Sequence, residues 1–273
     1  MSDGRQTALL DTAEHWDIAR GLLAYVRSID SERPAPGKDA MVRQWYRATA
    51  AWMQDREDHE TRHLVRAREL FPADPDILFL SGCQHEVYAS PDVQGVLRSA
   101  VLPTGWSLDI GPRGHELRKA ETFFRRSLDA NPAQPETRLR LGRVLAALER
   151  HEDAARELRE AVSSTTDRLL LYYGHLFLGA AEEALGHYDI AAASYEQAAS
   201  LYPAAQSPHL ALSELARRRG DRGIALAEMQ KVFDLPSDRN RDDPWWTYHV
   251  AQARNIGELL TDLRRPFLTE ARP

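Results

Sequence analysis

One frame of small, bulky and helix-ending residues recurs along this chain and limits most of what it can fold into. Its clearest copy is Leu178-Gly179, then Gly186, Ala191, Tyr195, Ala198 and Pro203. At helical spacing this reads as two helices joined by a turn at Gly186. Gly179, Ala191 and Ala198 put small side chains where two helices touch. Leu178 and Tyr195 fill the next layer, and Pro203 closes the second helix. The frame returns at Leu141-Gly142, Ala154, Leu158 and Ala161, and again at Leu212-Ser213, Gly220, Ala225, Met229 and Val232. Ala120, Phe124 and Pro132 mark another second helix, whose first helix falls near 75–90 with Gly82 at the small position. A weaker copy has Ala48, Leu64, Ala67 and Pro72, with Glu60 at the usual Ala place, and Ala19, Leu23 and Val26 form a partial one.

A lone helical hairpin cannot bury its apolar face, so the repetition implies stacking. The frame resembles the tetratricopeptide repeat, a 34-residue helical hairpin, over about residues 41–239 and more weakly over 1–40. The resemblance implies an all-α, right-handed solenoid of hairpins with a C-terminal capping helix. On this reading 1–40 is a degenerate N-terminal hairpin, 41–239 holds five hairpins, and 240–273 is the capping helix and tail. Asp243-Pro244 reads as the start of the cap, with Trp245, Tyr248, Gln252, Ile256, Leu259 and Leu263 following at helical spacing.

Two stretches break the period. Residues 31–40, with Pro34, Pro36 and Gly37, form a loop. The hairpin that begins at Pro75 keeps both helices, but about 26 extra residues separate them, an insert at about 90–114. Ser90-Pro91 predicts a short helix near 91–100. Pro103, Gly105, Gly111, Pro112 and Gly114 then enforce a loop that carries Trp106.

Composition removes several functions. The net charge is −6, spread along the chain, which opposes a general nucleic-acid or anionic-membrane surface. Cys83 is the one cysteine, so neither an intrachain disulfide nor a thiolate zinc cluster can form. No apolar run reaches the roughly 18 residues of a membrane span. Met1–Gln6 shows no signal-peptide core, so a cytoplasmic setting is expected, or a secreted or periplasmic one if a leader was removed earlier.

His59-Glu60-Thr61-Arg62-His63 spells H-E-x-x-H, which on a helix can hold Zn²⁺ through both histidines with the glutamate as base. A metal-dependent hydrolase using His59, Glu60 and His63 is therefore an alternative reading. Against it, Arg62 places a cation between the ligands, the flank Asp55-Arg56-Glu57-Asp58 is polar, and no third ligand is apparent. His-Glu also recurs at 85–86, 115–116 and 151–152, so a solvated helix surface and no metal is the expectation. Cys83 reads as a packed thiol, and no phosphate-binding glycine loop, nucleophile elbow or cofactor signature occurs.

What remains is a binding surface. In the resembled family the first helices line a concave groove that takes peptides. Carried over by register, that groove holds Trp45, Tyr46, Trp52, Phe79, Arg140, Arg143, Tyr173, Phe177, Glu183, Glu214 and Arg217. Aromatic residues would dominate its N-terminal half and charges its C-terminal half, both being residue types that carry binding energy. Packing against residues 1–30 or the insert is the alternative for Trp45 and Trp52. Trp106 is expected to dock near the second and third hairpins, because burying a Trp removes roughly 150–250 Å² from water. The family's clamp for a terminal carboxylate uses Lys and Asn; Arg140 matches one basic place, and those partners are absent.

The function expected is a scaffold for a protein or peptide, without catalysis, cofactor, metal, nucleic acid or membrane. A self-associating subunit is a further alternative. Ala154→Leu and Ala191→Leu should each cost about 1–3 kcal/mol by overpacking the helix contact. Urea denaturation measures this, and two neutral variants would count against the register.

Overall fold

The computed structural model describes residue 68 and residues 71–99, 110–235 and 243–253. The chain divides into two compact units, and the α-helices described next belong to the unit Ala73–Ala251. The hairpins expected before Pro72, and Trp106, lie outside the described residues.

The helices are α1 (Pro75–Tyr88), α2 (Pro91–Ser99), α3 (Arg113–Ala130), α4 (Pro135–Ala147), α5 (His151–Ser163), α6 (Arg168–Ala184), α7 (Tyr188–Leu201), α8 (Gln206–Arg219) and α9 (Arg222–Asp234). A 3-10 helix comes next at Pro244–Ala253, and no strand occurs among the described residues. Local chemistry sets several starts. The Asp74 carboxylate accepts from the backbone N–H groups of Asp76 and Ile77, with Pro75 in the first turn. Asp167 does the same for Leu169 and Leu170 at the head of α6.

Pairing follows the repeat. α1 packs on α3, α4 on α5, α6 on α7, and α8 on α9. Successive hairpins join through α3 to α4, α5 to α6 and α7 to α8, while the first helices α1, α4, α6 and α8 also touch in series. The unit is thus a solenoid of hairpins, with α2 in the insert between α1 and α3.

The small position explains how closely each pair approaches. A Cβ added at Gly179 would stand 2.4 Å from the Tyr195 ring, and one at Gly142 would stand 2.5 Å from Leu158. A Cβ added at Gly82 would stand 2.4 Å from the Phe124 ring. The fourth hairpin puts Ser213 at the same place, and its hydroxyl donates to the Ala225 carbonyl at 2.8 Å. Ala120, Ala154, Ala161, Ala191 and Ala198 are buried beside these contacts.

The turn inside each of the three uninterrupted hairpins repeats as well. Arg150 N–H bonds Leu145 O at 3.0 Å, His187 N–H bonds Glu182 O at 2.9 Å, and Asp221 N–H bonds Ala216 O at 2.9 Å. This closure places the preceding residue in the left-handed region, with φ 79° at Gly186 and 82° at Gly220. In the α4–α5 hairpin that place belongs to Glu149, at φ 63°.

Of the segment expected to be a capping helix, the described part, Pro244–Ala253, is a 3-10 helix that lies on the first helices. Ile224, Leu226 and Phe233 of α9 remain 57%, 60% and 63% exposed. The Asp243 carboxylate and the aromatic residues after it draw the segment onto α4 and α6. Ile256, Leu259 and Leu263 lie outside the described residues.

A side chain in the left-handed region costs about 1–2 kcal/mol, and glycine gives back part of the relief through its freer unfolded state. Glu149→Gly should therefore stabilise the unit by about 0.5–1 kcal/mol. Chemical denaturation reads this directly, and a destabilised variant would mean that Glu149 makes a contact worth more than its strain.

Candidate functional site

Three first helices bring their outward positions to one face, and the chain's own residues 243–249 lie on it. At its centre is Glu86 of α1, 1% exposed. Arg140 Nη1 donates to Glu86 Oε2 at 3.0 Å, and Arg143 Nη1 donates to Oε1 at 2.7 Å. The Tyr248 hydroxyl donates to the same Oε1 at 2.8 Å. Burial alone would raise the Glu86 carboxyl, but Arg143 and Arg140 outweigh it and hold the group below the ordinary carboxylate range. Arg140 is itself buried and also donates to Glu136 Oε1 through Nε and Nη2, both at 3.2 Å.

The terminal segment is held through main chain, carboxylate and rings. Tyr173 donates its hydroxyl to Pro244 O at 2.7 Å, and Arg140 Nη2 donates to Tyr248 O at 3.3 Å. The Asp243 carboxylate accepts from the Tyr172 hydroxyl at 2.7 Å and from the Ser207 hydroxyl and N–H at 2.6 and 2.9 Å. It also caps its own helix by accepting from Trp245 N–H at 2.9 Å. Both guanidinium carbons, of Arg140 and Arg143, lie 4.6 Å from the Tyr248 ring centroid. Tyr173 and Phe177 each meet that ring edge-on at 5.1 Å, and Trp245 lies near-parallel to it at 6.0 Å. Burial pushes the Tyr248 hydroxyl well up, with Glu86 adding to the shift, so it stays a donor.

Of the groove residues carried over by register, five therefore come together: Phe79, Arg140, Arg143, Tyr173 and Phe177. They do not line an open channel, because residues 243–249 lie on them. Phe79 borders the cluster, its ring 5.7 Å from the Arg140 guanidinium. Glu183, Glu214 and Arg217 form a separate, wetter group further along. Tyr195 donates to Glu183 at 2.9 Å, while Arg218 reaches Glu183 at 3.4 Å and Glu214 at 3.1 Å. Hydrogen bonds from Arg217 and Arg218 hold the Glu214 carboxyl down to about 2. Trp45, Tyr46, Trp52 and the His59-Glu60-His63 segment lie outside the described residues, as does Trp106.

Glu86, Asp243 and Tyr248 are not among the residues that sequence reasoning nominates. A signal for Glu86 exists: it stands four residues after Gly82, as Glu183 follows Gly179 and Arg217 follows Ser213. Tyr248 reads as packing of a cap. Nothing in the local sequence says that its ring meets two arginines more than a hundred residues away.

Cys83 is fully buried beneath this face, and burial raises its thiol far from the thiolate range, so it is no nucleophile. Among the described residues no group of three or more His, Cys, Asp or Glu side chains is placed to hold a metal. The insert is tied down beside the site. Glu116, wholly buried, bonds His85 Nδ1 at 2.6 Å and accepts from Gly111 N–H at 2.8 Å, and Gln94 donates to Tyr88 O and Gly111 O. Among the described residues no helix is long and apolar enough to cross a membrane.

A profile of the tetratricopeptide repeat matches residues 173–204, the α6–α7 hairpin with part of its flanking turn. No curated protein sequence matches the chain significantly. Among solved structures the chain is similar to PilW, described as a widely conserved type IV pilus biogenesis factor. The TM-score is 0.55 at 16% identity, over 83% of this chain and 94% of that one. It is also similar to MamA, residues 41 to the end, from Desulfovibrio magneticus RS-1. There the TM-score is 0.52 at 19% identity, over 74% and 97%. At these identities the likeness concerns the fold. The recurring frame, the stacked hairpins and the matched profile agree: the chain carries a tetratricopeptide repeat at residues 173–204, within a solenoid of hairpins built on the same frame.

Proposed function

We propose that this chain is a protein-interaction scaffold that recognises a peptide or protein, without catalysis, through the face of its first helices. One observation carries the reading. That face seats a peptide segment, residues 243–249, by bonds to two backbone carbonyls, one carboxylate and a buried aromatic ring. Bonds to main-chain carbonyls hold any sequence, and the ring and carboxylate contacts add selectivity. Exposed Glu214, Arg217 and Arg218, with the half-buried Glu183 beneath them, continue the first-helix face beyond the segment and offer charged contacts to a longer partner. A preformed array loses little entropy on binding.

Affinity capture from the native organism, read by mass spectrometry, tests this. The full chain should enrich a defined partner, and the exposed double variant Arg217→Glu/Arg218→Glu should lose it by roughly fivefold or more. No enriched partner, or one indifferent to the double variant and to competition by the 243–249 peptide, would overturn the reading.

The face should also hold its segment in a pH-dependent way. His249 is neutral there: burial lowers its pKa to about 4, Arg143 and Arg140 push the same way, and Glu86, with Asp92, opposes them. Released, the imidazole returns to its ordinary 6.5. The docked form thus binds fewer protons than the released one. Docking is at full strength above pH 6.5 and weakens as pH falls from 6.5 to 4, by up to about tenfold per unit. Amide protection over 245–249, corrected for intrinsic exchange, measures this, and His249→Phe should flatten the dependence.

A further inference from the structure

Building on the interaction-scaffold reading, we propose that residues 243–249 are a displaceable internal ligand. The partner they stand in for is a peptide of the same chemistry: a carboxylate capping a short turn, then two aromatic side chains three residues apart.

Four observations support displacement. First, the charges of the face are paired without the segment. Glu86 is held by Arg140 and Arg143, and Arg140 is held further by Glu136. Departure of Tyr248 removes one donor from Glu86 and strands no charge. Second, the grips are of a kind that another chain can satisfy. Tyr173 and Arg140 take carbonyls, Tyr172 and Ser207 take a carboxylate, and two guanidinium groups take a ring. Third, the occupant fits imperfectly. His249 Nδ1 is buried with no hydrogen-bond partner among the described residues. Trp246 points out, 56% exposed, and contributes little burial. A peptide with an apolar residue in place of the imidazole would sit on the same groups without that cost. Fourth, the occupant needs no great affinity. The occupant begins nine residues after the last residue of α9, Asp234, and a ligand carried so near in the same chain has an effective concentration on the order of millimolar. The face is thereby closed to weak ligands and open to those that match it better.

The probe is a labelled synthetic peptide of residues 240–252, titrated into the full chain and into the full-length variant Trp245→Ala/Tyr248→Ala. The variant should bind it about tenfold or more tighter than the unaltered chain, since the internal competitor is crippled. Adding Arg143→Ala to that variant should weaken binding about tenfold, and a peptide carrying His249→Phe should bind tighter than the native one. A variant that keeps wild-type helicity and does not bind the peptide overturns the proposal. A second measurement needs no variant. In the unaltered chain, amides of 245–249 should exchange hydrogen about tenfold or more faster than those in the cores of α4 and α6. Equal rates would make the segment a fixed part of the core and overturn displacement. Concentration-dependent dimers that trade this segment, seen by light scattering, would overturn a foreign partner in favour of a second copy. Each of these failures leaves the scaffold reading standing, because partner capture through Arg217 and Arg218 decides that separately.

Discussion

Where Gly82, Gly142 and Gly179 lack a side chain, a ring or a branched aliphatic of the second helix occupies the space, and the array follows from that contact. It fixes the distance between the two helices of a hairpin and, equally, the rotation of each helix about its axis. Once the small residue faces its partner, the positions two before and one after it turn away from that contact, and the position four after it sits one turn further along at the contact's edge. Those positions carry Arg140 and Phe177, then Cys83, Arg143 and Glu214, then Glu86, Glu183 and Arg217. The packing rule that builds the fold therefore also composes the face of the first helices on which residues 243–249 lie.

At the centre of that face the chain buries charge. Removing a carboxylate and a guanidinium from water costs several kcal/mol each, and such pairs contribute little net stability. Glu86 is tolerated because three donors converge on it from α4 and from the terminal segment. The arrangement instead sets which side chain can lie on it. An aromatic ring gains from both guanidinium groups, and a ring with a hydroxyl also satisfies the carboxylate. A plain aliphatic side chain in that place would gain from neither.

Much of the fold could be read from residues alone, because hairpin packing is local. Gly179 and Tyr195, or Gly142 and Leu158, are close in sequence, and their sizes announce their contact. The helix near 91–100 announced itself in Ser90-Pro91, and α2 spans Pro91–Ser99. The site was half legible. Register nominates Arg140, Arg143, Tyr173 and Phe177, yet the segment lying on them, 243–249, comes from outside the repeat. Its apolar spacing suits a cap on α9 as well as a plug on α4 and α6. What separates the two is a set of long-range bonds, Asp243 to Ser207 and Tyr248 to Glu86, that no local pattern encodes. Glu149 is hidden for a related reason: the left-handed turn is visible where glycine marks it, and here glutamate fills it under strain.

The insert between α1 and α3 has a consequence for how such arrays diversify. In the α4–α5 and α6–α7 hairpins the touching pair is separated by 16 residues. In the first hairpin Gly82 and Phe124 are separated by 42, and yet they meet with the same closeness. The apex of a hairpin is therefore mechanically silent: about 26 extra residues, α2 among them, are spliced there without altering the stacking beneath. New sequence added at that point inherits a rigid mount, here through Glu116 and Gln94, and the solenoid pays no structural toll for carrying it. Such apices are natural grafting points, where a repeat array can acquire a second binding element while its own architecture stays constant.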